Sequence, residues 1–461
     1  MLKQIFSAIC IGLLSAASLV ATETKPNIIF ILADDLGYGD LSCYGQTKFT
    51  TPAIDRLASE GMKFTQFYAG STVCAPSRCS IMTGLHTGHC YVRGNRDADG
   101  GNFPLAADQT TVATLLKKAG YATGCFGKWG LGVSTNEGSP MKHGFDEFFG
   151  YYSQRDAHNY YPPFLHRNGE KIELDSKTYS HDLIEKESLD FIRKNKDKPF
   201  FCYMTVTIPH AAMQVPEQYV APWRKVFSEF ENEIGKYSFN TEVCNPVAAF
   251  PGMMTRLDET VAKLLALLEE LNLDDNTVLM FSSDNGTHKE GGHRSDFFES
   301  AGPLRGAKRD LYEGGIRVPM LIRWSKTINP GSVSDHIGAF WDVLPTLANI
   351  AGIPESECPK QLDGLSFLPT LLGNTTTQKQ HPYLYWEFYE QQGKVAARFG
   401  KWKVIRLNAV TQPDGPIEVY DLENDLGEKT DVANKHPEII ARFKEIFREA
   451  HTPSSIFTGI K

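Results

Sequence analysis

Beyond its first residues this 461-residue chain has no apolar run long enough to predict a membrane-spanning helix. Positive charge is also scarce. A formal net charge of -8 argues against nonspecific binding to nucleic acid or to an anionic membrane. It leaves room for an anionic substrate, because only the local field in a pocket matters there. No cysteine spacing matches a zinc ribbon, and no tandem repeat or low-complexity tract interrupts the chain. Nine cysteines are present, Cys10 among the first residues and eight at irregular intervals, which shows no disulfide scaffold. If one of those eight serves chemistry, at least one other thiol stays unpaired. The remaining composition, 41% hydrophobic and 22% charged with 28 phenylalanines, is that of a globular protein with ample core material. Its length suits several average domains or one large α/β domain with a smaller partner.

The chain opens "MLKQIFSAICIGLLSAASLVATETKPN", with one lysine, an apolar run, small residues and charge returning at Glu23. That order predicts a signal peptide over residues 1–21, cleaved near Ala21. The alternative is a retained anchor, for which the run is short. Export implies periplasm or the extracellular space for a bacterial protein, and a lysosomal or secreted one for a eukaryotic protein.

"PNIIFILADD", "PFFCYMTVTIPH" and "NTVLMFSSDNG" are continuous apolar runs that predict strands buried on both faces. "TPAIDRLASEG", residues 111–118 and "MMTRLDETVAKLLALLEELNL" predict intervening helices. The fold class is therefore α/β, a large mostly parallel or mixed sheet flanked by helices. After about residue 375 the pattern changes. "HPYLYWEFYE", "KVAARFGKWKVIRL" and "IEVYDLEND" predict antiparallel strands, and "HPEIIARFKEIFREAH" a closing helix. The expected organisation is a larger unit over 22–375 and a smaller α+β unit over 376–461, joined through "LLGNTTTQKQ". Residues 211–250 read as surface loops near the site.

Two acidic pairs stand out. Asp34 and Asp35 end one buried strand, and Asp284 and Asn285 end another. Ligands collect at the carboxyl ends of strands in open α/β sheets. Neighbouring strands would bring the pairs together, where three carboxylates repel unless a cation lies between them. Oxygen donors favour calcium or magnesium over zinc. Taken singly, each pair also reads as a cap for the following turn.

"STVCAPSRCSIMTG", residues 71–84, poses a different question. Pro76 suits the first turn of a helix, which puts Cys74 at its start and Arg78 one turn on, on the same face. Two readings follow from the residues alone: a structural cysteine, or a thiolate nucleophile whose pKa the helix terminus and Arg78 lower.

"CAPSR" matches the C-x-P-S-R signature of type I sulfatases, the formylglycine-dependent, arylsulfatase-like family within the alkaline phosphatase superfamily. The resemblance extends through "NIIFILADDLGYGDLSCYG", "GKWGLG", "TIPH", "FSSDNG", "LRGAKRDLYEGGIRVP" and "VYDLENDLGEKTDVA", in order along nearly the whole mature chain. It implies a sulfuric ester hydrolase with an alkaline phosphatase-like fold, in which a formylglycine-generating or anaerobic sulfatase-maturating enzyme converts Cys74 to formylglycine. It implies one calcium ion, with magnesium less suited, held by Asp34, Asp35, Cys74 as modified, Asp284 and Asn285. By the same resemblance Arg78 orients the sulfate and Asp284 accepts the proton of the attacking hydroxyl. His210 and Lys308 contact sulfate and assist the leaving alcohol, and Lys128 is a further cationic contact. Catalysis then runs through a covalent sulfo-formylglycine intermediate.

Other readings stay open at each position: solvated loop lysines for Lys128 and Lys308, a strand-end cap for His210. His288 and His293 either line the pocket or face solvent. His86 and His89, in "TGLHTGHCYVRGN", read as packing residues. One departure is plain. Where the family carries a histidine assigned to sulfate release, this chain has Gly130 in "KWGLG". His158 in "SQRDAHNYYPP" is a candidate replacement, water with Asp284 is another, and glycine can also simply enlarge the pocket. The expected substrate is a sulfated carbohydrate, with an aryl sulfate as the other possibility. The alternatives are a phosphomonoester or phosphonate hydrolase of the superfamily, and a catalytically impaired, calcium-dependent glycan-binding protein.

Overall fold

A computed structural model describes residues 25–95, 102–238 and 242–461. The expected signal peptide over residues 1–21, Cys10 included, lies outside the described residues. Among those described, no helix is long and apolar enough to cross a membrane, and the eight cysteines form no disulfide.

The strand Asn27–Ala33 is buried along its whole length and forms the middle of an 11-stranded sheet. Thr277–Ser283 pairs with it in parallel on one side and Phe200–Thr205 on the other. Ala122–Lys128 and Glu147–Tyr151 continue the parallel block outward. Beyond Thr277–Ser283 the strand Arg317–Trp324 runs antiparallel, both to it and to Met62–Tyr68. The sheet is thus mixed around a parallel centre. Alternate residues feed two cores, because side chains along a strand point to opposite faces. Ile29, Ile31 and Phe281 pack beneath the helices Ser180–Asn195 and Pro246–Glu270, whereas Phe30, Leu32 and Met280 pack beneath Cys74–Thr83 and Val343–Ile350. Burial on both faces explains why these strands read as unbroken apolar runs.

Register is what matters for the site. Asn27 pairs with Thr277, and the ladder runs in step to Ala33 opposite Ser283. Asp34–Asp35 and Asp284–Asn285 therefore leave two adjacent strands at the same level.

Helices Pro52–Glu60 and Val112–Lys118 form where expected. The long helix begins earlier, at Pro246 rather than Met253, because the Asn245 side chain caps it by accepting from the Ala248 amide at 2.9 Å. Residues 211–250 are not loop alone: Glu217–Val226 is helical. In the C-terminal part "KVAARFGKWKVIRL" folds into two strands, Lys394–Phe399 and Trp402–Leu407, turning at Gly400 with φ of 53°. Four antiparallel strands result, followed by the helix Pro437–Ala450.

The small sheet does not stand apart. Trp386 is fully buried against Tyr68 and Trp341 of the larger unit, with ring centroids at 5.5 and 5.6 Å. Its indole N–H donates to the Ala69 carbonyl at 2.9 Å. Lys403 is buried as well and donates to Glu313 at 2.9 Å. Trp386→Ala is expected to cost about 3–5 kcal/mol in denaturant unfolding. A loss below about 1 kcal/mol would show that this contact does not fasten the sheet.

Candidate active site

Six segments meet at the carboxyl ends of the central strands. Asp35, held at φ of 62°, turns its backbone so that its amide donates to Asp284 Oδ1 at 3.2 Å. The Asp284 amide in turn donates to the Ala33 carbonyl at 3.0 Å. Cys74 is the first residue of the helix Cys74–Thr83, and its Sγ lies 3.3 Å from Asp34 Oδ1. Lys128 ends its strand and places Nζ 2.6 Å from Asp34 Oδ2. Lys308 Nζ lies 2.7 Å from Asp35 Oδ2 and donates to His210 Nε2 at 2.9 Å. Arg78 Nη2 donates to Asp284 Oδ2 at 2.8 Å and Nε to the same oxygen at 3.1 Å. All of these residues are buried.

The electrostatics follow from crowding out of water. Burial works to raise the Asp34 carboxyl, but Lys128, His210, Arg78 and Lys308 hold it well below the ordinary range. Asp284 goes the other way, pushed up to about 6 by burial and by the charge of Asp34. Burial opposes the charge on Lys308, yet Asp35 leads a set of anionic neighbours that keep it well above the usual lysine value. The His210 imidazole is pushed well down by burial and by Lys308. It is therefore neutral, with Nδ1–H directed at the Ala211 carbonyl and Nε2 accepting from Lys308.

Cys74 corrects one reading of the sequence. The helix terminus and Arg78 are outweighed here as a stabilising field for a thiolate. Burial, together with Asp284 and Asp34, pushes the thiol well above its ordinary value, and Arg78 is spent on the carboxylates.

Donor atoms of Asp34, Asp35, Cys74 and His210 all lie within 4.8 Å of one another. Asn285 adds a telling detail. Its Nδ2 donates to Asp35 Oδ1 at 2.7 Å, while its Oδ1 is buried without any hydrogen-bond partner. An orphaned carbonyl oxygen beside three carboxylates fits a hard divalent cation. His210 also stands closer to this group than the sequence implied.

A cavity of about 330 Å³ opens over Cys74, His210 and Lys308. Arg78 and Lys128 lie behind it instead of lining it. Asn95, Gln154, Tyr237, Arg309 and Glu390 also line it; none was singled out from the sequence, since each arrives from a separate loop or turn. Arg309 directly follows Lys308, and Gln154 and Asn95 lie in the segments quoted for His158 and His89. His158 does border the cavity, with its ring stacked on His210 at 4.9 Å, and burial and His210 push it down to about 2. Gly130 does not enlarge the pocket. A Cβ there would sit 2.3 Å from Gln154 Nε2, so the space is filled.

His288 and His293 are buried rather than solvent-facing, and neither lines the cavity. The His288 Nε2–H donates to the Pro209 carbonyl at 3.1 Å, and His293 stacks on Phe250 at 4.0 Å. His86 and His89 stack on each other at 4.4 Å, with His89 Nδ1 2.9 Å from Asp363; both pack away from the site.

The sulfatase family model matches residues 26–353, and the model for the C-terminal region of N-sulphoglucosamine sulphohydrolase matches 306–452. The chain belongs to the sulfatase family. It is 29% identical to an N-acetylgalactosamine-6-O-sulfatase of Bacteroides thetaiotaomicron over 93% of both chains. It is 32% identical to the N-acetylgalactosamine-6-sulfatase of Canis lupus familiaris, over 85% of this chain and 74% of that one. Among solved structures, Ps i-CgsB in complex with k-i-k-neocarrahexaose superposes with a TM-score of 0.78 at 28% identity, covering 93% of each chain. A phosphonate monoester hydrolase of Agrobacterium radiobacter, 19% identical at a TM-score of 0.66, covering 92% of this chain and 95% of that one, shares the fold alone. As a sulfatase this chain hydrolyses sulfuric esters, and the gathered carboxylates, lysines and Cys74 lie where its strand ends open to the cavity.

Proposed function

We propose that this sulfatase removes sulfate from a carbohydrate after Cys74 has been converted to formylglycine by a maturating enzyme during export. The observation that carries the reading is the position of residue 74. It sits at a buried helix start, 3.3 Å from Asp34, at the edge of a cavity that His210 and Lys308 also line. Sulfated-sugar names among the relatives support the substrate class, and a polar cavity suits a saccharide.

A formylglycine hydrate at this position would supply two hydroxyls on one carbon, one as nucleophile toward sulfur and one to regenerate the aldehyde as sulfate leaves. Asp34, Asp35, Asp284, Asn285 and residue 74 would hold a calcium ion, which would supply positive charge for the sulfuryl oxygens. Asp284, its carboxylate fixed by Arg78, accepts the proton of the attacking hydroxyl. Lys308 faces the cavity and offers charge-assisted hydrogen bonds to sulfate. The Lys308 ammonium, oriented by its bond to the unprotonated Nε2 of His210, supplies the proton to the leaving alcohol. Lys128 and Arg78, set behind, fix Asp34 and Asp284 so that no reorganisation accompanies reaction. Glu390, from the C-terminal part, borders the same cavity. We accordingly read residues 22–375 as the catalytic unit and 376–461 as a smaller unit that completes the pocket wall. The mature chain then acts outside the cytosol, without residues 1–21.

Protein matured in a competent host is expected to release sulfate from a sulfated monosaccharide, and Cys74→Ala to lose at least about 10³-fold of that rate. A preference for the matching phosphate ester would favour the phosphohydrolase reading, and release no greater than that of Cys74→Ala would favour a binding protein. Chelation is expected to abolish activity, with calcium restoring it better than magnesium. Asn285→Ala is expected to raise the calcium concentration needed for half-recovery, and an unchanged requirement would remove Asn285 from the ligand set.

A further inference from the structure

We infer that Gln154 is a substrate contact of this sulfatase, its side-chain amide filling the space that Gly130 leaves and donating to a sulfuryl oxygen. The inference rests on the reading of the cavity as a sulfuric ester site and names a residue beyond it.

The placement is built from the backbone. The Trp129 amide donates to the Tyr151 carbonyl at 2.9 Å, and the Gly130 amide to the Tyr152 carbonyl at 3.1 Å. These bonds lay the 151–154 segment alongside Gly130. Asn102 clamps the same segment. Its Nδ2 donates to the Tyr152 carbonyl at 2.8 Å, and its Oδ1 accepts from the Gln154 amide at 3.1 Å. Gln154 is thereby directed at Gly130, where only the missing side chain admits it: a Cβ would lie 2.3 Å from Nε2 and 3.8 Å from Arg78 Cδ. Gly130 has φ of 78°, which side-chain-bearing residues rarely adopt.

Gln154 Nε2 is buried and has no hydrogen-bond partner. Buried donors are nearly always satisfied in folded proteins, so an unmatched one at a pocket wall calls for an acceptor from outside the chain. The wall belongs to the cavity that Cys74, His210 and Lys308 line. A sulfuryl oxygen only accepts hydrogen bonds, and a carboxamide N–H donates without exchanging a proton. The two are chemically matched, and Gln154 acts by holding the ester, with proton transfer left to other groups.

The test uses matured, calcium-loaded protein and two readouts: KM for a sulfated monosaccharide, and the affinity for inorganic sulfate measured by calorimetry. Gln154→Ala is expected to weaken both by about 10- to 100-fold, with thermal unfolding unchanged. Gln154→Glu is expected to weaken sulfate binding more at pH 7 than at pH 5, because only the ionised carboxylate repels sulfate. Gly130→Ala displaces the amide and is expected to weaken sulfate binding in the native background but to add little to Gln154→Ala. If Gly130→Ala fails to fold, the two Gln154 variants carry the test. Native KM and sulfate affinity in Gln154→Ala would overturn the inference while the wild type still released sulfate. A wild type that releases no sulfate would instead overturn the functional reading on which it rests.

Discussion

Three buried carboxylates at one point are the constraint around which this molecule is organised. The pairing of Ala33 with Ser283 brings Asp34, Asp35 and Asp284 to the same level of the sheet, away from water that would screen them. Such a cluster is costly unless it is neutralised. Lys128 and Lys308 each sit within 2.7 Å of one of these carboxylates, and Arg78 bonds Asp284 at 2.8 Å. The demands of neutralisation thus draw in residues from three other parts of the chain. Cys74, first in the helix that carries Arg78, arrives with them.

The same constraint explains the division of labour. Cations set behind the carboxylates fix them, while those that reach the cavity remain open to a ligand. Lys308 does both, bonded to Asp35 yet lining the pocket. Among the described residues, Asn285 Oδ1 and Gln154 Nε2 are two of the buried side-chain atoms near the site without a hydrogen-bond partner, beside others such as Thr72 Oγ1 and Thr207 Oγ1. The first is an acceptor on the side chain that bonds Asp35, and the second a donor on a residue that lines the cavity. In the proposed reading a cation answers the first and an anionic ester the second.

How much of this was legible beforehand differs by residue for physical reasons. Asp34, Asp35, Asp284 and Asn285 were legible because strands buried on both faces leave uninterrupted apolar runs, and acids closing such runs are conspicuous. Cys74 and Arg78 were legible from helix spacing after Pro76. The ionisation of Cys74 was not: local sequence shows the helix terminus and Arg78, but not the carboxylates that other strands bring to the sulfur. Gln154, Tyr237 and Asn95 were invisible for a related reason, since no periodicity marks a loop residue that reaches a pocket. The early start of the Pro246–Glu270 helix depended on the Asn245 cap, and the extra C-terminal strand on a turn at Gly400. Both are local features that apolar patterning does not record.

The central claim is that residue 74 works as a hydrated aldehyde. Mass analysis of the tryptic peptide Phe64–Arg78, from active protein made in a host with a maturating enzyme, tests it most directly. The account predicts an aldehyde in place of the thiol, in proportion to specific activity. A fully active preparation whose peptide carries an intact cysteine would contradict it.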